Sequence, residues 1–98
     1  MPFDQRIRQI AFTISPAAIL ANTSAEQTFN DVPDLGSEAS DLVLSVNKPT
    51  AQAGLGIVGF RLTTTDNQLA ITFGNFTGSS ITPTASESYK IAVMKRQP

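Results

Sequence analysis

Three glycines, Gly54, Gly56 and Gly59, match the G-x-G-x-x-G pattern of dinucleotide-binding loops. In such a loop the glycines lie between a strand and the first turn of a helix, whose free amides hold the pyrophosphate. Here the following residues, 60–65, are rich in aromatic and β-branched types and lead into a turn signal at Asp66. The pattern therefore predicts a strand interrupted by glycines, at a bulge, a bend or a close backbone neighbour, and no cofactor site.

The residue types on which most enzymes depend are missing from this chain. The sequence has no histidine and no cysteine, so it cannot form a Ser-His-Asp triad, a thiolate nucleophile or a zinc site with imidazole or thiolate ligands. Ser45 and Lys48 are spaced as a nucleophile and a base could be, but serine is abundant here and a lysine at a strand end is usually solvated. We therefore expect no catalytic residues, no cofactor and no enzymatic activity.

Acidic side chains are concentrated in one segment of the sequence. Five of the eight Asp and Glu residues lie between Glu26 and Asp41. Loop carboxylates can bind calcium, but a calcium loop places acids at alternate positions, and that spacing is absent. Two carboxylates could also catalyse glycoside hydrolysis, yet nothing in the sequence fixes the separation that the reaction needs. The sequence predicts a solvated acidic loop without a metal.

Charge and hydropathy restrict the partners of the protein. The chain has 98 residues, with seven Lys and Arg against eight Asp and Glu. A nearly neutral domain has no excess of cations to neutralise phosphates, so nucleic-acid binding is not expected. Apolar runs such as 16–21 are far too short to span a bilayer, and no apolar leader opens the chain. We expect one domain, residues 1–98, that is made in the cytoplasm and does not bind membranes.

The order of apolar and polar residues predicts an all-β fold. Thr, Ser, Ala, Ile, Val and Leu dominate, as is typical of pleated sheets. Short runs with turn signals at roughly ten-residue intervals favour a small antiparallel β-sandwich or barrel of about six to eight strands. The six runs cover residues 6–14, 25–32, 42–46, 55–64, 68–73 and 88–94. The side chains expected to share one face are Ile10, Phe12 and Ile14 in the first strand and Tyr89, Ile91 and Val93 in the last.

Three connecting features complete the predicted fold. The clearest local pairing is a hairpin between the fourth and fifth strands, through residues 65–67. Residues 16–21 are expected to form a loop that packs Ile19 and Leu20 beneath the edge of a sheet. Residues 1–9 are expected to include an extended N-terminal arm.

Four side chains are candidates for contact with a partner. Phe76 lies in a loop of Gly and Ser, and an exposed loop aromatic often anchors a partner. Phe3, Arg6 and Arg8 belong to the expected arm, which could lie across another subunit. An aromatic platform that binds sugar and includes Phe76 is the alternative interpretation.

The second half of the chain resembles small virion proteins of tailed bacteriophages and prophages. The residues that carry the resemblance are the run 48–58, then Arg61, then 69–73 with Asn75, and then 81–85 with Glu87 and Tyr89. The region from Phe12 to Phe29 matches more loosely, and the acidic segment does not take part. Such proteins are β-sandwich modules that decorate or cement icosahedral capsids, or form parts of head and tail fibres, and they have no catalytic residues to carry over.

The resemblance implies a capsid decoration or cement protein on the outer surface of the virion capsid. Its partners would be the major capsid protein and further copies of itself, in a homotrimer or a homodimer. A protein that binds only the assembled lattice stabilises that lattice by mass action. The alternatives are a head or tail fibre component, a tail adaptor, and a carbohydrate-binding β module.

Overall fold

The computed structural model describes residues 7–95, and every regular element in this range is a β-strand. All strand pairs are antiparallel, which confirms the predicted all-β fold. The strands are β1 (Ile7–Ile14), β2 (Ser24–Phe29), β3 (Asp41–Asn47), β4 (Leu55–Leu62), β5 (Leu69–Asn75) and β6 (Glu87–Lys95). Because these residues contain no helix, they contain no membrane-spanning helix either.

The strands form two three-stranded sheets packed as a sandwich. The first sheet has the order β1-β6-β3 and the second has the order β2-β5-β4. The edge strands β3 and β4 contact each other across the two sheets, so they lie on one side of the sandwich. The other two edges, β1 and β2, therefore lie on the opposite side.

The core lies between the sheets and follows the predicted alternation of side chains. In β6, Tyr89, Ile91 and Val93 are buried while the residues between them are more exposed. Ile10 and Phe12 of β1 are buried in the same way, because each is directly opposite a buried residue of β6. The second sheet contributes Leu69, Ile71 and Phe73 to this core.

The loop after β1 packs as expected at one position and not at the other. Ile19 is fully buried, and its backbone pairs with Ile81 in an isolated bridge. Leu20 is 66% exposed, so the prediction that it packs beneath the sheet edge is wrong. One bridge with Ile81 fixes the face that Ile19 presents, and the next side chain necessarily points the other way.

The glycine-rich segment is β4, as predicted, and it pairs with β5 in a hairpin. The register shifts between Ile57 and Gly59, so Val58 is the extra residue of a β-bulge. Gly54, just before the strand, has a φ of 80°. A Cβ built on Gly54 would collide with the Cγ2 methyl group of Thr77, so the glycine lets the Thr77 side chain pack directly against the backbone here.

Two boundaries differ from those predicted. Ile7, Arg8 and Gln9 pair with β6 as part of β1, so the predicted arm does not include them, and its residues 1–6 lie outside the described range. The second strand ends at Phe29, before Asp31. Asp31 has a φ of 62°, which a regular strand does not accommodate.

Candidate binding surfaces

Three large apolar side chains form a row on the outer face of the first sheet. Met94 is directly opposite Ile7 in β1 and directly opposite Leu42 in β3. Directly opposed residues share one face of a sheet, and the face is the outer one because the neighbouring Val93 is buried in the core. Ile7, Met94 and Leu42 are 50%, 38% and 57% exposed. These three residues, called the apolar row below, present an apolar stripe to solvent across the whole width of the sheet.

The sequence of β3 explains part of this exposure. Leu42, Val43 and Leu44 are consecutive apolar residues, and only Val43 points into the core. The register shifts between Val43 and Ser45, so Leu44 is the extra residue of a second bulge and remains exposed. Three consecutive apolar residues in a strand place at least one of them on the outer face. This run was therefore the sequence signal for an outer apolar surface, which the candidates chosen from sequence did not include.

Two ion pairs lie at the same end of the first sheet as the apolar row, but on the core-facing side of their strands, where Arg8 is directly opposite the buried Val93. Nη1 of Arg8 is 2.9 Å from Oδ2 of Asp34, and Nζ of Lys95 is 2.7 Å from Oδ2 of Asp41. Arg8, Lys95 and Asp41 adjoin the three row residues in sequence. The candidate contact Arg8 is thus already bonded within its own chain, and Asp34, Asp41 and Lys95 are paired as well.

Phe76 lies on the outer face of the second sheet. Its side chain is 70% exposed, which agrees with the predicted loop aromatic. A Cβ built on Gly74 would lie 3.0 Å from Cζ of Phe76 and 3.0 Å from Cγ1 of Val58, so both side chains cover this glycine. We call Phe76 and Val58 the aromatic patch.

An open hollow adjoins the aromatic patch. Asn22, Thr23 and Ser24 line its polar side, and Phe76 and Val58 line its apolar side. The hollow thus combines one exposed aromatic ring with several polar groups, a mixture that small-molecule sites use.

Among residues 7–95 no further ring joins this hollow. Phe73 and Tyr89 are buried in the core. Phe60, although 38% exposed, is directly opposite the buried Ile71 and so lies on the inner face of the second sheet.

Lys48 belongs to a polar cluster on the loop between β3 and β4. Its Nζ lies 3.1 Å from Oε1 of Glu87 and donates a hydrogen bond of 2.8 Å to the carbonyl of Thr50. The hydroxyl of Thr50 donates to Oε2 of Glu87. The hydrogen bond from Thr50, followed by that from Lys48, holds the pKa of Glu87 below its usual value despite burial. The structure bonds Lys48 to Glu87 and Thr50, and so does not support a dyad with Ser45.

Tyr89 is the buried neighbour of this cluster. Its hydroxyl has no hydrogen-bond partner among the described residues. Burial, with the negative charge of Glu87 as a second cause, raises the pKa of Tyr89 to about 12. The phenol is therefore neutral at ordinary pH and poorly placed to act as a base.

Three residues of the acidic segment, Glu26, Asp34 and Asp41, belong to separate ion pairs. Arg61 binds Glu26 through two hydrogen bonds of 2.7 and 2.9 Å, and these bonds lower the pKa of Glu26. The side chain of Asp41 is only 3% exposed, so the predicted solvated loop is wrong for this residue. Within residues 7–95, no three acidic side chains come together as a metal site would require.

The candidate contacts proposed from sequence do not form one site. Arg8 is on the first sheet and Phe76 is on the second, while Phe3 and Arg6 lie outside the described residues. No known protein family matches the chain. No curated protein and no solved structure matches it either.

Proposed function

We propose that this protein is a capsid decoration protein of a bacteriophage virion, which binds the outer surface of the assembled shell as a homo-oligomer and stabilises it. The observation that carries the proposal is the exposed apolar row of Ile7, Met94 and Leu42. Aligned apolar side chains gain free energy when a partner removes them from water. The virion and its major capsid protein enter the proposal through the resemblance of residues 48–89 to small virion proteins.

The reactive groups of the described residues support a binding role over a catalytic one. Lys48 and Glu87 bond to each other and to Thr50. Glu26 is bonded to Arg61. A catalytic residue needs a lone pair or a proton that is free to reach a substrate, whereas these groups hold parts of the fold together.

The size of the apolar row indicates how it would bind. Three side chains that are about half exposed present an area on the order of 300 Å², while a stable interface covers about 800 Å² on each partner. A single row therefore binds weakly unless further contacts surround it. Several copies attached to one lattice would overcome this weakness through effective concentration, which favours a homo-oligomer.

Binding to shells tests the proposal. The probe is a shell purified from a phage that carries this gene, after the gene has been deleted. Wild-type protein is expected to sediment with these shells at a copy number near that of the major capsid protein and to raise their heat and chelator resistance. The double variant Ile7→Thr and Leu42→Thr is expected to bind at least about tenfold more weakly, because it removes apolar area while placing threonine, which favours strands, at both positions.

A matched variant controls for general loss of apolar surface. Val58→Thr makes a similar change on the outer face of the second sheet and is expected to bind as wild type does. Equal loss of binding in both variants would contradict a role for the apolar row. Shells whose resistance does not change on binding would contradict cementing, and a few copies at one vertex would favour a fibre or tail adaptor.

A carbohydrate-binding module is the second candidate, and the exposed ring of Phe76 beside Asn22 and Thr23 favours it. Aromatic rings stack on the apolar faces of sugars, while polar side chains fix their orientation. Binding to a glycan array that is abolished in Phe76→Ala and retained in Ile7→Thr would support this candidate. Absence of any glycan binding by the wild-type protein would remove it.

A further inference from the structure

Two of the four sheet edges carry a bulge. In β3 the extra residue is Leu44, and in β4 it is Val58. A bulge breaks the regular spacing of backbone donors and acceptors and twists the edge away, which hinders pairing with another chain. These two strands lie on the same side of the sandwich, so that side is protected against strand addition.

The opposite side has two regular edges, β1 and β2, which differ in length and charge. β2 has six residues and carries Glu26 near its middle. β1 has eight residues in unbroken register with β6, and its one charged residue, Arg8, lies near the start of the strand. Charged side chains near the middle of an edge strand oppose pairing, so β1 is the better template of the two.

The free side of β1 offers a row of backbone groups to a partner. Each strand of an antiparallel ladder directs alternate amides and carbonyls to each side, and the only ladder of β1 among residues 7–95 is with β6. The middle of the strand, from Gln9 to Phe12, is uncharged. An uncharged regular edge of this length is a site at which another strand can be added.

We propose that β1 pairs antiparallel with β1 of a second copy, giving a two-fold symmetric dimer with one continuous six-stranded sheet. The buried residues of β1, Ile10 and Phe12, both have even numbers. Residues that are directly opposite each other share one face of a sheet. The core-facing sides of the two copies therefore match only if even-numbered residues of one copy are opposite even-numbered residues of the other. The two-fold axis then lies between the two copies of Ile10 or between the two copies of Ala11. In either register, most of β1 is paired.

This dimer deepens the self-association that is part of the proposed function, and depends on that function only for its biological role. With core-facing sides matched, the two-fold axis is perpendicular to the first sheet. The two apolar rows therefore face the same direction on one continuous surface. Such a dimer binds a lattice at two points at once, which compensates for the small area of a single row.

Charged variants test the pairing in purified protein without any shell. Gln9 and Ala11 are exposed on the outer face of β1. The double variant Gln9→Lys and Ala11→Lys places at least one pair of lysines directly opposite each other in either register. We expect wild-type protein to have twice the 10.4 kDa mass of one chain, and the dissociation constant of the variant dimer to rise at least about tenfold.

The control places the same charges on the other regular edge. Ser24 and Thr28 are exposed on β2, and Ser24→Lys with Thr28→Lys is expected to leave the dimer intact. The matching variant carries Gln9→Glu and Ala11→Glu. Mixing it with the Lys variant of β1 is expected to restore dimers that contain one copy of each, because opposite charges are then directly opposed. This rescue separates lost pairing from lost folding.

Three outcomes would overturn the proposal. The wild-type protein could remain a monomer or form a trimer, the β2 variant could dissociate as readily as the β1 variant, or the oppositely charged β1 variants could fail to associate. Since the chain has no cysteine, a spin label at Ser88→Cys gives an independent measurement. One intermolecular distance is expected in the dimer, and its loss is expected in the β1 Lys variant. The dimer is tested in purified protein, whereas shell binding is tested with shells. Absence of a dimer would therefore contradict this proposal without contradicting the binding of single copies to shells.

Discussion

Among single residues, Asn75 holds two loops together through its side chain. It is 1% exposed, and its amide nitrogen donates to the carbonyls of Ile19 and Ser79 at 3.0 and 2.7 Å. Its amide oxygen accepts from the backbone amide of Thr77 at 2.9 Å. One side chain thus joins the loop after β1 to the loop after β5, next to the aromatic patch.

We expect substitution of Asn75 to destabilise the fold. Asn75→Asp keeps the acceptor for Thr77 but removes both donors and places a negative charge beside two carbonyls. Loss of the donors is expected to lower the free energy of unfolding by about 2–4 kcal/mol. Chemical denaturation measures this change. Asn30→Ala, which removes one exposed hydrogen bond from Gln68, is the control and is expected to cost less than about 1 kcal/mol.

The single tyrosine gives a direct measurement of burial. Burial raises the pKa of Tyr89 to about 12 from an ordinary value of 10.0, and the chain has no tryptophan. Ultraviolet titration of the folded protein is therefore expected to show tyrosinate only near or above pH 12. A transition near pH 10 in protein that is still folded would contradict the buried position.

The same shift determines how alkaline pH affects stability. Between the unfolded and folded pKa values the folded state holds more protons than the unfolded state, so the free energy of unfolding falls as pH rises. The contribution of Tyr89 is complete below pH 10 and is lost as pH rises toward 12. Tyr89→Phe should remove this part of the alkaline decline.

At the scale of elements, the loop between β3 and β4 is fastened to the segment that leads into β6. Thr50 and Lys48 bond to Glu87. The side-chain oxygen of Gln52 accepts from the amide of Thr84 at 2.9 Å, and its nitrogen donates to a neighbouring carbonyl of the same segment. The loop crosses between the two sheets, so these bonds also help to hold the sheets together.

Acid is expected to weaken this attachment. The hydrogen bond from Thr50 and the interaction with Lys48 lower the pKa of Glu87 below 4.5 in the folded state. The unfolded state then binds more protons, so the stability that Glu87 contributes is complete above about pH 4.5 and is lost as pH falls through the folded pKa. Thr50→Val should make the decline with acid shallower, because its hydroxyl no longer favours the carboxylate.

A second threonine provides the control for that experiment. Thr84 takes part in this attachment through its backbone amide only, so Thr84→Val should keep the acid dependence of the wild-type protein. Thermal unfolding measured at a series of pH values distinguishes the two variants. An unchanged acid slope in Thr50→Val would show that Glu87 is not held by this hydroxyl.

The elements that sequence could predict are those governed by local alternation. The faces of β1 and β6 were predicted because a strand turns successive side chains to opposite sides, whatever its neighbours are. The end of β2 was not, since it depends on the φ of Asp31 and on a hydrogen bond from Val32 to Asn67. Leu20 was misplaced for the same reason, because the bridge from Ile19 to Ile81 is a contact between distant parts of the chain.

For the whole molecule, the candidate surface depends on strand order, which alternation does not reveal. Ile7, Leu42 and Met94 are far apart in sequence, and only the order β1-β6-β3 and the register align them. Phe76 was identified from sequence because its loop neighbours are small and polar, which is a local property of the chain. The sequence therefore predicted the exposure of one side chain better than it predicted a surface shared by three strands.

Hydrogen exchange relates this architecture to the proposed dimer. β5 and β6 are the central strands, with a bonded neighbour on each side, so their amides should exchange most slowly at all concentrations. In the monomer, alternate amides of the edge strands face solvent and should exchange quickly. Raising the protein concentration should then slow exchange of the outward amides of β1 alone, while the bulged edges β3 and β4 do not change. If exchange slows in β2 instead, the interface is the other regular edge. If exchange slows in none of the edge strands, the two copies do not pair through their backbones.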